Sequence, residues 1–396
     1  MKLSRRLQFI KPSPTLALNS RAKALVAQGV DVAVLAAGEP DFDTPEYVKQ
    51  AAVDALKAGF TKYTATAGIP ELREAITRKL EKDNGLRFAP DQVLVTSGGK
   101  QALYNLFQAM LDEGDEVLIF APYWVSYPDM VRLAGGTPII VPTREEDGFA
   151  PSPDAIRRAL TPRTRAVIIN SPGNPTGAVY SRAALEGIAE AVRAHDCLVV
   201  SDDIYEKLLY VDDFHTIGGV APDLLPRLVV VNAMSKAYAM TGWRLGYVAG
   251  PKPLISAMNL VQDQSTSNAS SIGQKAALAA LQGPPDTINA MVAEYRARRD
   301  MFVGGLNALD GVHCRMPEGA FYALADVRGL FGRTYKDRPL VSAMQLSEIL
   351  LDDFRVAAVP GEPFGAEGYI RMRFATSREV LKKGLARLGE LVGSLR

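Results

Sequence analysis

Ser235 and Lys236 stand side by side within VNAMSKAYAMTGWRLGY (Val231–Tyr247), and Arg244 follows eight residues after the lysine. The apolar run LVVVNAM (Leu228–Met234) precedes them, so both should leave the end of a buried strand. A lysine held among apolar residues has a lowered pKa, and the neutral amine is a nucleophile toward carbonyl carbon. Arg244 and the Ser235 hydroxyl are natural ligands for a phosphate. Together they fit a lysine that forms a Schiff base with a phosphorylated aldehyde. A surface lysine in a loop fits the same stretch, so the rest of the chain has to decide.

The three histidines, His195, His215 and His313, show neither i,i+4 pairing nor metal-ligand spacing, and they read as structural or surface residues. An enzyme with this sequence would then move protons with something other than histidine, which again favours the lysine. Cys197 and Cys314 lie far apart with no CxxC partner, so a disulfide framework, a zinc site or any other metal site is not expected. At 396 residues the chain has room for two domains, and 47% hydrophobic with 22% charged residues is ordinary for a globular enzyme. A formal net charge of +1 gives no electrostatic case for nucleic acid or an anionic membrane. The basic N-terminus lacks a signal-peptide core, and no apolar run approaches a membrane span, so the expected location is cytoplasmic.

Near the N-terminus, KPSPTLALNS (Lys11–Ser20) carries two prolines and reads as an extended arm, followed by a short helix over Arg21–Gln28. DVAVLAAGEPDFDTP runs from a strand (Val32–Ala36) into a turn where Gly38 lets a ligand approach the backbone. DQVLVTSGGK (Asp91–Lys100) gives a strand, a Gly-Gly turn and a helix opening near Lys100, which leaves free N–H groups where a phosphate can sit. The runs EVLIF, TPIIV, RAVIIN, CLVVSD and RLVVVN then alternate with helical patterns. That alternation predicts an α/β domain with a mostly parallel sheet sandwiched by helices. Ligands of such sheets gather at the strands' carboxyl ends. Ser97–Lys100, Asn170–Gly177, Asp202–Tyr205 and Ser235–Lys236 all fall there.

Trp124 in PYWVSY can cover a planar ring or simply fill the core. The Asn174 amide in SPGNPTG can bond a ring oxygen, as can the Tyr205 hydroxyl. Asp202 beside a pyridine nitrogen would keep that nitrogen protonated. Beyond a long charged helix over Thr287–Leu309, PEGAFYALADV, FRVAAVP and YIRMRFAT read as strands of a smaller α+β domain. Arg371 and Arg373 share one face of the last of these. A buried arginine there would clamp a carboxylate with both nitrogens.

With these residues in hand, the chain closely resembles the class I, fold-type I aminotransferases dependent on pyridoxal phosphate (PLP), especially bacterial aspartate aminotransferases of the Ib (Iγ) subgroup. The matches include KPSPT, AGEPDFDTP, TKYTATAGIPELREA, TSGGKQAL, PYWVSYPDM, NSPGNPTGAVY, SDDIYE, SKAYAMTGWRLGY, PEGAFY and IRMRFATS, and they span nearly the whole chain. The resemblance implies fold type I, with an N-terminal arm and part of the small domain in 1–45, a large PLP-binding domain in 46–285 and the rest of the small domain in 286–396. It implies that Lys236 is the Schiff-base lysine and that Asp202 pairs with the pyridine nitrogen. Tyr205 and Asn174 would bond the ring oxygen, Trp124 would stack on the ring, and Gly99, Lys100, Ser235 and Arg244 would surround the phosphate. Tyr63 would reach the phosphate from the other subunit of a homodimer.

Gly38, Asn174 and Arg371 would hold the substrate α-carboxylate, with Trp124 beside it; Arg371, not Arg373, matches the family's arginine. Lys100 and the arm, through Lys11 and Thr15, would bind the side-chain carboxylate. Some relatives with this arm also convert prephenate to arogenate. Pro14 in the arm, SDDIY in place of SDEIY, and SNAS in place of an SNPS-like turn depart from the pattern and bear on substrate preference. The implied activity is ping-pong transamination between L-aspartate or glutamate and 2-oxoglutarate or oxaloacetate. Two other readings compete: a PLP enzyme for aromatic, alanine-type or β-elimination substrates, and a non-catalytic PLP-sensing regulator. The latter needs a DNA-binding segment for which this chain has neither the length nor the basic patch.

Overall fold

The structure is a computed structural model that describes residues 3–10 and 14–396. Its centre is a seven-stranded sheet in the order 93–96, 246–249, 228–233, 198–202, 164–170, 116–121, 137–142. Six strands run parallel, and Gly246–Ala249 is antiparallel to both its neighbours. The strands EVLIFA and LVVVNA, and VLVT at one edge, are buried along their whole length, as uninterrupted apolar runs covered on both faces must be. The strand at the other edge, Thr137–Pro142, differs. Its residues are mostly exposed or half-buried, and Pro138 and Pro142 sit where no ladder partner is required.

Helices cover both faces, and their ends follow from single residues. Pro70 opens the helix Pro70–Asn84, and Gly85 closes it with φ +68°. Ser181 caps Arg182–Arg193 by accepting a bond from the Ala184 N–H at 3.2 Å. Two apolar cores result, one on each face of the sheet. Each fully buried Val, Leu or Ile in them contributes about 1.5–3 kcal/mol.

A second body of structure surrounds an antiparallel sheet ordered 359–360, 369–373, 322–326, 313–314. Its own core gathers Phe302, Phe321, Phe374 and Leu381, and takes in Ala33 and Leu35 from near the N-terminus. Ala33–Val34 pairs in parallel with Val356–Ala357, so the two ends of the chain build one unit. The helix Asp286–Asn307 runs into this region and packs on Arg378–Ser394.

The arm expected over Lys11–Ser20 is not extended from Pro14 onward. Pro14–Ala27 is a single α-helix. Proline at a helix's first position forfeits no bond, because that N–H has no partner anyway. The two-proline signal therefore marks a helix start. Lys11 lies outside the described residues, and so does the side chain of Thr15. Among the described residues no helix is long and apolar enough to cross a membrane.

Candidate active site

The parallel strands end on one edge of the sheet, and the predicted residues meet there. Asn170 and Asp202 are register partners at adjacent strand ends, and Asp202 in turn lies opposite Val231. Strand Leu228–Ala233 passes into a short helical turn, Met234–Ala237, which lifts Ser235 and Lys236 off the sheet. The cavity above this edge has a volume of about 480 Å³, within the usual range for a small-molecule site. Gly38, Gly99, Lys100, Trp124, Asn174, Asp202, Tyr205, Ser235, Lys236, Arg244 and Arg371 all line it. Tyr63 does not. It stands 93% exposed, away from this chain's own cavity.

Lys236 Nζ donates to the Gly38 carbonyl at 2.5 Å and lies 5.8 Å from the centre of the Phe321 ring. Burial lowers its pKa from 10.5 to about 8; the Arg371 and Arg244 charges add to the fall, while Glu39 and Asp202 oppose it. The folded protein therefore sheds this proton before the unfolded chain does. Stability from this group is lost below pH 8 and recovered as pH rises from 8 to 10.5. In the cofactor-free protein, acylation of Lys236 followed by peptide mass spectrometry should show a reactivity midpoint near pH 8. A midpoint at the ordinary lysine value of 10.5 would contradict this environment.

Asp202 is buried, and burial raises its carboxyl to about 6 despite a bond from Tyr127. The Tyr127 hydroxyl donates to Asp202 Oδ2 at 2.5 Å, and Asn170 Nδ2 donates to the Asp202 carbonyl at 2.9 Å. A cation placed against this carboxylate would be strongly held. Neither Tyr127 nor Asn170 is singled out by sequence reasoning. Both sit inside recognisable stretches, but their roles depend on partners 75 and 32 residues away.

Arg371 is only 3% exposed, on strand Tyr369–Arg373. Nη1 donates to Asn174 Oδ1 at 3.1 Å and Nη2 to the Ala36 carbonyl at 2.8 Å, while Nε has no partner among the described residues. The guanidinium is packed between the Tyr322 ring at 4.6 Å and the Phe364 ring at 4.9 Å. Tyr322, also not singled out from the sequence, shares a 2.8 Å hydroxyl–hydroxyl bond with Tyr205. Arg373 is turned to other work. Its Nη1 donates to the Glu39 carbonyl at 3.0 Å.

Beside the cavity, Gly98 takes φ +88° just before the helix Gly99–Met110. A Cβ on Gly98 would fall 2.5 Å from Arg244 Nη2, so only glycine lets that guanidinium cross the turn. Arg244 itself adopts φ +55°, and its Nη2 donates to the Ser97 carbonyl at 3.3 Å. Lys100 Nζ lies 4.9 Å from the Trp124 ring centre, and burial together with Arg244 lowers its pKa.

An amine, a buried carboxylate and a buried guanidinium around one cavity, at the carboxyl edge of a mostly parallel sheet, define an α/β enzyme with a site for small anionic ligands. The chain belongs to the aminotransferase class I and II family, whose model matches residues 30–388. It is similar to the aspartate/prephenate aminotransferase of Nitrosomonas europaea, with 48% identity over 99% of this chain and 100% of that one. Its identity to the aspartate/prephenate aminotransferase of Thermus thermophilus is 50%, over 99% of each chain. Among solved structures, the aspartate aminotransferase of Rhizobium meliloti superposes with a TM-score of 0.97 at 43% identity, covering 100% of both chains. The Thermus thermophilus aspartate aminotransferase with maleate gives a TM-score of 0.93 at 48% identity, covering 99% of this chain and 100% of the other.

Proposed function

We propose that the protein transfers the amino group of L-aspartate or L-glutamate to 2-oxoglutarate or oxaloacetate, and that prephenate is a further amino acceptor. In this reading PLP is the cofactor and Lys236 the reacting amine. The observation that carries it is the convergence on one cavity of a lysine with pKa about 8, the buried Asp202 and the part-satisfied fork of Arg371. The full-length relatives named aspartate/prephenate aminotransferases support the choice of substrates.

The residues present suit this cofactor. The Gly98–Gly99 turn, Ser235, Lys100 and Arg244 offer backbone N–H groups, a hydroxyl and two cations for its phosphate. Trp124 would flank the ring, Tyr205 and Asn174 would bond its oxygen, and Asp202 would hold a proton on its nitrogen. When bound, PLP supplies a carbonyl for the substrate amine and a ring that takes up the electron pair released at Cα.

The chain's own groups then do three things. Arg371 holds the substrate α-carboxylate with its fork, beside Asn174 and the Gly38 backbone. That grip fixes which Cα bond faces Lys236. Lys236 Nζ, a neutral base in a useful fraction of molecules near pH 8, removes the Cα proton. Lys100 is the candidate for the substrate's second carboxylate.

Two further features belong to this reading. Residues 46–285 would form one domain, and 1–45 with 286–396 the other, with the cavity between them. The molecule would work as a homodimer; Tyr63, exposed on its loop, would reach the partner's phosphate site. The test is a single-turnover experiment on the purified, yellow, PLP-loaded protein. Adding L-aspartate alone should bleach the visible band and release oxaloacetate, and 2-oxoglutarate should restore it. A yellow protein that ignores aspartate but responds to alanine or an aromatic amino acid would overturn the substrate assignment.

A further inference from the structure

Beneath the cavity lies a charged cluster that the chemistry above does not use. Lys79, Asn84, Asp203, Glu206 and Asn232 are all buried, in three separate stretches of chain. Three donors converge on the Glu206 carboxylate. Lys79 Nζ is in close contact with Oε1, Asn232 Nδ2 donates to Oε1 at 2.6 Å, and Asn84 Nδ2 donates to Oε2 at 2.7 Å. Lys79 also donates to Asn84 Oδ1 at 2.8 Å. A buried ion pair adds little net stability over apolar side chains of similar volume. What such a network supplies is orientation.

The orientation has a target. With its amide nitrogen committed to Glu206, Asn232 turns its oxygen to the backbone N–H of Ala233, which donates to it at 2.7 Å. Ala233 is the residue from which the turn Met234–Ala237 springs, and that turn carries Ser235 and Lys236. Glu206 itself begins where the Asp202–Tyr205 turn ends, its N–H bonded to the Asp203 carbonyl at 3.0 Å. One carboxylate therefore ties the segment bearing Asp202 to the segment bearing Lys236.

We propose that Glu206, acting through Asn232, is a positioning residue for Lys236: it pins the backbone N–H at the base of the lysine turn. The proposal rests on Lys236 being the reacting amine. A carboxylate is needed because it only accepts; a glutamine would turn an NH₂ group toward at least one of the three donors. A local misplacement of a reacting group by about 1 Å costs on the order of 10²-fold in rate, so even a partial loosening is measurable.

Asn232→Ala and Asn84→Ala separate positioning from mere support, since each deletes one donor to Glu206 but only Asn232 touches Ala233. Asn232→Ala should lower kcat for the aspartate reaction about tenfold and leave KM within about twofold. Hydrogen exchange of the 233–237 amides, followed in the PLP-loaded protein, should also become faster. Asn84→Ala should lower the melting temperature and leave kcat and that exchange unchanged. Equal losses of kcat in both variants, or unchanged exchange at 233–237 in Asn232→Ala, would overturn the proposal. Should Asn232→Ala not fold, Glu206→Gln decides by the same two readings. Turnover retained in a Lys236→Ala protein would sink the reading beneath it; normal turnover in Asn232→Ala with an inactive Lys236→Ala would sink only the positioning role.

Discussion

Lys236→Ala is expected to lower aspartate transamination by about 10⁴-fold or more, with the fold retained. The size follows from the two functions proposed for this one nitrogen: attack on the cofactor carbonyl and removal of the Cα proton. No histidine is placed to take over. None of the three histidines lines the cavity. His195 bonds the Thr161 carbonyl, His215 pairs with Asp213, and His313 lies near Glu145. Two other lysines line the cavity, Lys23 and Lys100, and Lys100 is held over Trp124 and beside Arg244. Oxaloacetate release in a coupled assay, with circular dichroism as the control for folding, measures the effect. Activity within tenfold of the unaltered protein would remove Lys236 from the chemistry.

Arg371→Leu should lower kcat/KM for aspartate by about 10²–10³-fold, which corresponds to about 3–4 kcal/mol of lost binding. Most of the loss should appear in KM, because the carboxylate grip acts in the bound substrate and in the transition state alike. Leucine is chosen over lysine because the site has no room for a hydrated ammonium between the Tyr322 and Phe364 rings. The change also frees Asn174 Oδ1 and the Ala36 carbonyl, so a modest drop in melting temperature accompanies it. Affinity for PLP should move by no more than about threefold, since the side-chain partners of Arg371 are Asn174 and the Ala36 carbonyl while Arg244 bonds the Ser97 carbonyl of the Gly98–Gly99 turn. A large loss of PLP affinity with an unchanged KM would place Arg371 on the cofactor and not on the substrate.

Much of this site could be read from the chain because its signals are local. An unbroken apolar run predicts a strand covered on both faces, and the residue just past its end must emerge at the sheet's carboxyl edge. That is how Asp202, Ser235 and Lys236 are found, and the Gly98–Gly99 turn with them. Arg371 could be narrowed only to a pair with Arg373 by strand alternation; the resemblance to a family favoured Arg371. Pro14 shows the opposite case: proline near the N-terminus reads as a break, yet at a helix's first position it is permissive.

What the chain determined by itself is therefore the alternation of parallel strands and helices, though not the strand Gly246–Ala249 or the start of the Pro14–Ala27 helix, and the residues delivered to strand ends, because these depend on period and on neighbours within a few positions. Tertiary structure decided which of those residues touch. Tyr127 reaches Asp202 across 75 residues, Arg371 reaches Asn174 across 197, and Lys236 finds the Gly38 carbonyl across 198. Burial is equally a property of the whole. The same lysine in an open loop would hold its proton to an ordinary pKa, and it is burial in the folded structure that brings it to about 8.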